Sequence, residues 1–252
     1  MTAETHWSMP RLIGAVVLGV LAFIALAIAA PLLWHTWRPA PPPLQQGGAL
    51  PSGTGTPWQI RLDGAGGSAV FGLELGRSTL ADAASRWPGE ALQVALVRSP
   101  AGELSLEAYL ESIQASGVNG KLLLGVTLPA DVAQRWAERA TRDTPLASGA
   151  HRLGLHHDDA TQAQARMIDS LLFLPAARLD EATLAERFGA PAERLATADG
   201  LVHLLYPDRG LAISLADSGR QRTVLQYVAP RDFARLRAPL LAALTPPAPI
   251  TH

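Results

Sequence analysis

The sequence predicts an α+β protein in which one N-terminal transmembrane helix precedes two repeated α-β-β-β units that pack together. Three observations predict this arrangement: a long apolar run near the N-terminus, a Pro- and Gly-rich segment after it, and an internal repeat in the remaining chain. They divide the chain into a tail (residues 1–11), a transmembrane helix (12–34), a linker (35–58), a first unit with its trailing helix (59–144), a connector (145–172), a second unit with its trailing helix (173–244) and a C-terminal tail (245–252).

The apolar run begins at Leu12, ends at Trp34 and carries no charged residue. A helix rises about 1.5 Å per residue, so roughly 20 residues cross the hydrocarbon core of a bilayer. Trp7 and Trp37 flank the run, where interfacial aromatic residues are common. A buried core helix is the alternative, but such helices seldom contain more than about 14 unbroken apolar residues. We therefore expect contact with a lipid bilayer through residues 12–34.

Two versions of this segment remain open. Ala27-Ile28-Ala29 has the small-residue pattern of a signal-peptide cleavage site, so the chain could be cleaved after Ala29. The apolar run continues past that site, which favours an uncleaved anchor. Because only a short tail lies before the helix, a signal-anchor with the N-terminus inside is the simpler topology. Ala15 and Gly19 form a small-residue pair that would allow two such helices to associate as a homodimer. The predicted location is the bacterial inner membrane, single-pass, with a periplasmic C-terminal domain.

Composition excludes several classes of function. The 21 basic and 22 acidic residues give a net charge of -1, so no electrostatic footprint for nucleic acid is present. Lys121 is the only lysine, and the dominance of Arg with abundant Ala is typical of a high-GC bacterial genome. The chain has no cysteine, which excludes disulfides, thiolate metal sites, Cys nucleophiles and a lipid-modified N-terminal Cys.

The internal repeat has an offset of 101 residues. At this offset Arg86 matches Arg187, and each of them is followed by an aromatic residue and then by Gly and Pro. Further matches at the same offset are Lys121 with Arg222, Leu124 with Leu225, Pro129 with Pro230 and Asp131 with Asp232. Self-similarity of this kind indicates a duplicated supersecondary unit.

Each unit is predicted to contain a helix followed by three strands and a trailing helix. Apolar residues at helical spacing predict helices, and apolar–polar alternation predicts strands. In the first unit these are helix 79–87, which Ser78 could cap, strands 92–97, 104–110 and 122–128, a turn at Asn119-Gly120 and helix 130–142. In the second unit they are helix 180–188, strands 201–206, 211–215 and 223–228 and helix 231–244, and the connector carries a helix over 160–172.

The second unit resembles a known family. Its helix ends in Gly189-Ala190-Pro191, Tyr206 precedes the next strand, and Leu211–Leu215 leads to a turn at Gly219. These features are similar to those of the outer-membrane-assembly lipoprotein family, the BamE-like (SmpA/OmlA) bacterial envelope domain, and the internal repeat implies two tandem copies here. The chain departs from that family because it lacks the lipidation Cys. The resemblance implies an envelope-located binding or assembly module without catalysis.

Ligand-type side chains cluster in one place, and we predict no metal site, no cofactor and no catalytic residue there. The candidate metal ligands are His151, His156, His157 and Asp158. Imidazole and carboxylate groups suit Zn²⁺, but adjacent residues point in different directions, so a polar connector is the simpler interpretation. A general base at His203, near Asp208, is conceivable, although a histidine on the sheet surface is the simpler interpretation there as well.

The sequence therefore predicts a noncatalytic, membrane-anchored bacterial envelope protein that binds another envelope protein or stabilises an assembly. The alternative is an envelope enzyme or ligand sensor with a site between the two units, formed by His203, Asp208 or the region of His156. No nucleic-acid partner is expected.

Overall fold

The computed structural model describes residues 55–115, 117–197, 200–216 and 223–244. The predicted transmembrane helix, residues 12–34, lies outside these ranges, as do the tail 1–11 and most of the linker. Within them the longest helix has 11 residues, and none is long and apolar enough to cross a membrane. For the described part of the chain, the prediction of a single-pass, signal-anchored transmembrane protein is therefore wrong.

The described chain is mostly β-sheet, with five α-helices. A small antiparallel sheet contains β1 (Arg61–Leu62), β2 (Ser68–Val70) and β3 (Leu73–Glu74). The large sheet contains β4 (Gln93–Arg98), β5 (Leu104–Ala115), β6 (Val118–Val126), β7 (Arg142–Pro145), β8 (His151–Gly154), β9 (Ser170–Pro175), β10 (Glu193–Ala196), β11 (Leu201–Tyr206), β12 (Leu211–Ala216) and β13 (Val224–Val228). The helices are α1 (Leu80–Arg86), α2 (Ala130–Glu138), α3 (His157–Gln164), α4 (Glu181–Phe188) and α5 (Ala234–Leu244), and short 3₁₀ turns follow β11 and β13.

The large sheet is a single antiparallel sheet of ten strands in the order β10-β11-β12-β13-β9-β6-β5-β4-β8-β7. The fold class predicted from the sequence, two α-β-β-β units packed together, is therefore wrong. The predicted strands do exist, but those of both segments lie side by side in one sheet with β9 between them. Four strands of this sheet, β7 to β10, were not predicted.

Strand β9 makes the sheet continuous. It pairs with β6 on one side and with β13 on the other, and its residues Leu171–Pro175 are all buried. An unbroken apolar run of this length suits a strand that is covered on both faces. The predicted connector helix over 160–172 is wrong at its C-terminal end, because α3 stops at Gln164 and the chain then becomes extended.

Gly120 lies inside β6 and is not a turn residue, so the predicted turn at Asn119-Gly120 is wrong. A Cβ atom at this position would lie 2.4 Å from the ring of Phe173 on β9. Glycine is therefore required for close approach of the two strands. Gly117, with φ of 84°, is the residue with left-handed backbone just before β6.

The two faces of the large sheet are covered differently. The main core lies on the first face, where apolar side chains of α1, α2, α3 and α4 pack with the strands and with Phe71 beside the small sheet. On the second face, Phe233 and Leu240 pack on Leu205, Ala212 and Val228. The helix–sheet layering gives the protein one large core and places α2 and α3 together on the first face.

Capping side chains set the first residues of α1 and α4. Asp180 caps α4 by accepting a hydrogen bond from the Thr183 backbone N–H at 2.8 Å, which confirms the helix predicted over 180–188. Thr79, rather than the predicted Ser78, caps α1, because its hydroxyl and the Asp82 carboxylate form a reciprocal capping box.

Candidate ligand-binding cleft

A cleft of about 220 Å³ opens between α2 and the segment that contains α3. Helix α2 contributes side chains that recur at helical spacing, α3 contributes two residues one turn apart, and Arg166 follows the end of α3. The lining residues are Val132, Arg135, Trp136, Glu138, Arg139, Asp159, Gln162 and Arg166. The cleft therefore combines three guanidinium groups, two carboxylates and one aromatic ring.

Asp159 is the most unusual group in the cleft. The His156 side chain caps α3, which places Asp159 in the first helical turn with only 1% of its surface exposed. Within the described part of the chain, neither carboxylate oxygen has a hydrogen-bond partner, and the ion pair to Arg139 Nε is long, at 3.6 Å. A buried carboxylate without hydrogen bonds is unfavourable, so this group is poised to accept them.

Arg166, which lines the same cleft, has a hydrogen-bond donor that lacks an acceptor among the described residues. Its guanidinium group lies 5.5 Å from the ring centre of Trp136, which is itself buried. This cation–π contact holds the charge over the aromatic face. The Nε–H of Arg166 is buried and has no acceptor among the described residues. The cleft thus places a donor without an acceptor and an acceptor without a donor in the same small volume.

The other two arginines lie at the rim and are already paired. Arg139 Nη2 lies 3.2 Å from Asp158 and 2.9 Å from Nδ1 of His156. Since guanidinium can only donate, this histidine nitrogen accepts the hydrogen bond. Arg135 Nη1 contacts Asp131 at 2.7 Å, one turn earlier on α2. Of the three guanidinium groups, that of Arg166 is the one without a carboxylate partner among the described contacts.

The four candidate metal ligands do not form one group in the structure. Nδ1 of His151 on β8 lies 2.5 Å from Asp143 on β7, whereas His156 and Asp158 contact Arg139. Residue His157 begins α3. Among the described residues no group of three or more His, Asp or Glu side chains could hold a metal ion. His156 and Asp158 instead border the cleft through the arginine that they share.

His203 is buried, contrary to the surface position expected from its strand. Only 1% of its surface is exposed, and its Nδ1 lies 2.8 Å from the hydroxyl of Ser214, directly opposite on β12. Its Nε2 lies 3.3 Å from Thr197. Asp208 lies in the 3₁₀ turn beyond the end of β11. A histidine between two hydroxyls satisfies buried hydrogen bonds in the sheet.

Sequence reasoning missed that Asp159, Arg166 and Trp136 line the same cleft. The weak signal available was a tryptophan between two arginines, Arg135 and Arg139, at the C-terminal end of the amphipathic helix α2. That pattern alone predicts only a half-buried helix, because the residues of α3 that complete the cleft are more than 20 positions away in the sequence.

No protein-family model, functionally described protein or solved structure matches the chain. The resemblance to the BamE-like envelope domain therefore stays a prediction.

Proposed function

We propose that this protein is a noncatalytic binding module of the bacterial envelope whose ligand occupies the cleft between α2 and α3. The observation that carries the proposal is that one cleft is lined both by Asp159, whose buried carboxylate has no hydrogen-bond partner among the described residues, and by Arg166, whose buried Nε–H has no acceptor there. Natural proteins satisfy nearly all buried polar groups, so buried groups without partners in residues that line a cleft are suited to a ligand.

The chemistry of the lining favours binding over catalysis. Three of its charged groups are arginines, which stay protonated at all physiological pH values and therefore cannot act as general bases. Guanidinium groups are instead suited to the recognition of carboxylates and other planar anions. Association with another envelope protein, which the sequence predicts, is part of the same proposal.

A ligand sensor is the second candidate, and the position of the cleft favours it. The two walls belong to separate helices, α2 and α3, with the hairpin β7–β8 between them in the chain. A ligand that contacts both walls would bind better to one spacing of the helices and would shift the population toward it.

The binding proposal is tested by thermal unfolding of the full-length protein with a panel of small anionic, cationic, zwitterionic and neutral compounds. We expect at least one class to raise the Tm in a saturable manner, because a ligand that binds only the folded state stabilises it. Asp159→Asn should abolish that increase. Proton NMR after prolonged incubation should recover the ligand unchanged.

The matched control is Asp143→Asn, which removes an ion-paired, half-exposed carboxylate on β7, away from the cleft. This variant should keep the increase in Tm. If no class raises the Tm of the unmodified protein, the binding proposal is wrong. New NMR resonances from a chemically altered ligand would instead favour the enzyme alternative.

A further inference from the structure

We infer that the ligand of the cleft between α2 and α3 is a small zwitterion of the free α-amino acid class. In this arrangement the ligand's ammonium group binds Asp159 and its carboxylate binds Arg166. The inference rests on the proposed binding function and adds the chemical class of the ligand.

The size of the cleft limits the ligand. Pockets for drug-sized molecules typically have volumes of about 300–1,000 Å³. This cleft has about 220 Å³, which suits a compound with a few non-hydrogen atoms. A single amino acid fits this volume, whereas a nucleotide or an oligosaccharide does not.

Asp159 selects for a group with several hydrogen-bond donors. Both of its oxygens are buried and lack hydrogen bonds among the described residues. An ionised carboxylate can only accept, and an ammonium group carries three donors and a positive charge. A primary ammonium group therefore satisfies both oxygens and neutralises the charge, and charge-assisted hydrogen bonds are the strongest of this type.

Arg166 selects for an acceptor beside that ammonium group. Its guanidinium is positioned over Trp136, and its buried Nε–H has no acceptor in the described part of the chain. A carboxylate can accept from the guanidinium edge through two parallel hydrogen bonds. The ammonium and carboxylate groups of an α-amino acid are attached to the same carbon, which matches the need for both charges within one small volume.

The distribution of charges in the lining, which contains groups of both signs, disfavours ligands with a single charge. The three arginines exceed the carboxylates Glu138 and Asp159 by one positive charge. A purely cationic ligand is repelled by the arginines, and a purely anionic ligand must lie near the buried Asp159. A zwitterion places each of its charges beside the opposite charge of the protein.

The test compares three compounds of nearly equal size by isothermal titration calorimetry with the full-length protein. L-leucine carries both charges, 4-methylpentanoate lacks the ammonium group, and L-leucinamide lacks the carboxylate. We expect L-leucine to bind at least about tenfold more tightly than either analogue, because each loses one charge-assisted contact. Asp159→Asn and Arg166→Gln should each weaken the binding of L-leucine about ten- to hundredfold.

Asp143→Asn and Arg98→Gln, which remove the two sides of an exposed ion pair elsewhere, are the matched controls and should bind L-leucine as the unmodified protein does. Circular dichroism of every variant establishes that it is folded, and the three-compound comparison needs no variant. Equal affinity for L-leucine and one of its analogues would overturn the inference while the binding function stands. Failure of all three compounds, when another class of the wider panel binds, overturns it in the same way. No binding by any compound would overturn both proposals.

Discussion

Replacing Phe173 with Ala should lower the free energy of unfolding by about 3–5 kcal/mol, because it removes a large, fully buried side chain from the middle of the sheet. The ring of Phe173 lies 5.0 Å from that of Phe71 beside the small sheet and also covers Gly120 on β6. The surrounding strands are tied by hydrogen bonds and cannot close the resulting cavity. Urea denaturation followed by far-UV circular dichroism measures the change.

Met167→Ala is the control, because this side chain is 57% exposed and its truncation should change stability by less than about 0.5 kcal/mol. A loss below 1 kcal/mol for Phe173→Ala would contradict the position of β9 at the centre of the sheet.

The same experiment examines whether the ten-stranded sheet unfolds as one unit. Because β9 pairs with β6 and with β13, loss of its packing should destabilise both sides together. We expect tryptophan fluorescence, to which the buried Trp87 and Trp136 contribute, to give the same transition as the circular dichroism. Coincident transitions are the usual evidence for two-state behaviour. Two separate transitions would indicate independent units.

Glu107→Gln should remove a strong pH dependence of stability. Glu107 lies on β5 opposite Ala95 and Gly125, is only 6% exposed, and accepts a hydrogen bond from the Ser105 hydroxyl at 3.1 Å. Burial raises the pKa of this carboxyl to about 8, and the hydrogen bond from Ser105 opposes the shift. In the unfolded chain the pKa has its ordinary value, 4.5.

The sign of the effect follows from proton binding. Between pH 4.5 and about 8 the folded state keeps the proton of Glu107 and the unfolded state loses it, so stability falls as the pH rises. The contribution is fully present below pH 4.5 and is lost by the time the pH passes 8. A shift of this size corresponds to roughly 5 kcal/mol at most.

Urea unfolding at several pH values between 4 and 9 measures this slope. Glu107→Gln keeps the shape and the hydrogen-bond acceptor but cannot ionise, so its stability should be higher than that of the unmodified protein at pH 8 and nearly independent of pH in this range. Glu186→Gln, an exposed position on α4, should keep the original slope. An unchanged slope in Glu107→Gln would show that Glu107 is not the group responsible.

Local features of the chain were predictable because they depend on near neighbours. The helix over 180–188 follows from Asp180, whose carboxylate caps the first turn only three residues away. The strand 201–206 was predicted from its residue pattern with the same bounds that the structure has. The cap of α1 was placed one residue too early, because Ser78 and Thr79 both have a hydroxyl and only the geometry with Asp82 separates them.

Features that depend on contacts between residues far apart in the sequence were decided only by the tertiary structure. The apolar run of β9 is equally compatible with a buried helix and with a buried strand. Its pairing with β6 and β13 makes it a strand. Gly120 looks like a turn residue until the ring of Phe173 is placed beside it. The cleft likewise exists only because packing brings Asp159 and Arg166 against Trp136.

By itself, then, the sequence determined the absence of cysteine chemistry, the near-neutral charge and the caps and periodicities of several helices and strands. Only the tertiary structure decided that these strands form one sheet instead of two packed units, and that an unsatisfied carboxylate faces a cleft. The physical reason is that capping and periodicity act over a few residues, whereas strand order and side-chain burial are set by contacts between residues far apart in the chain.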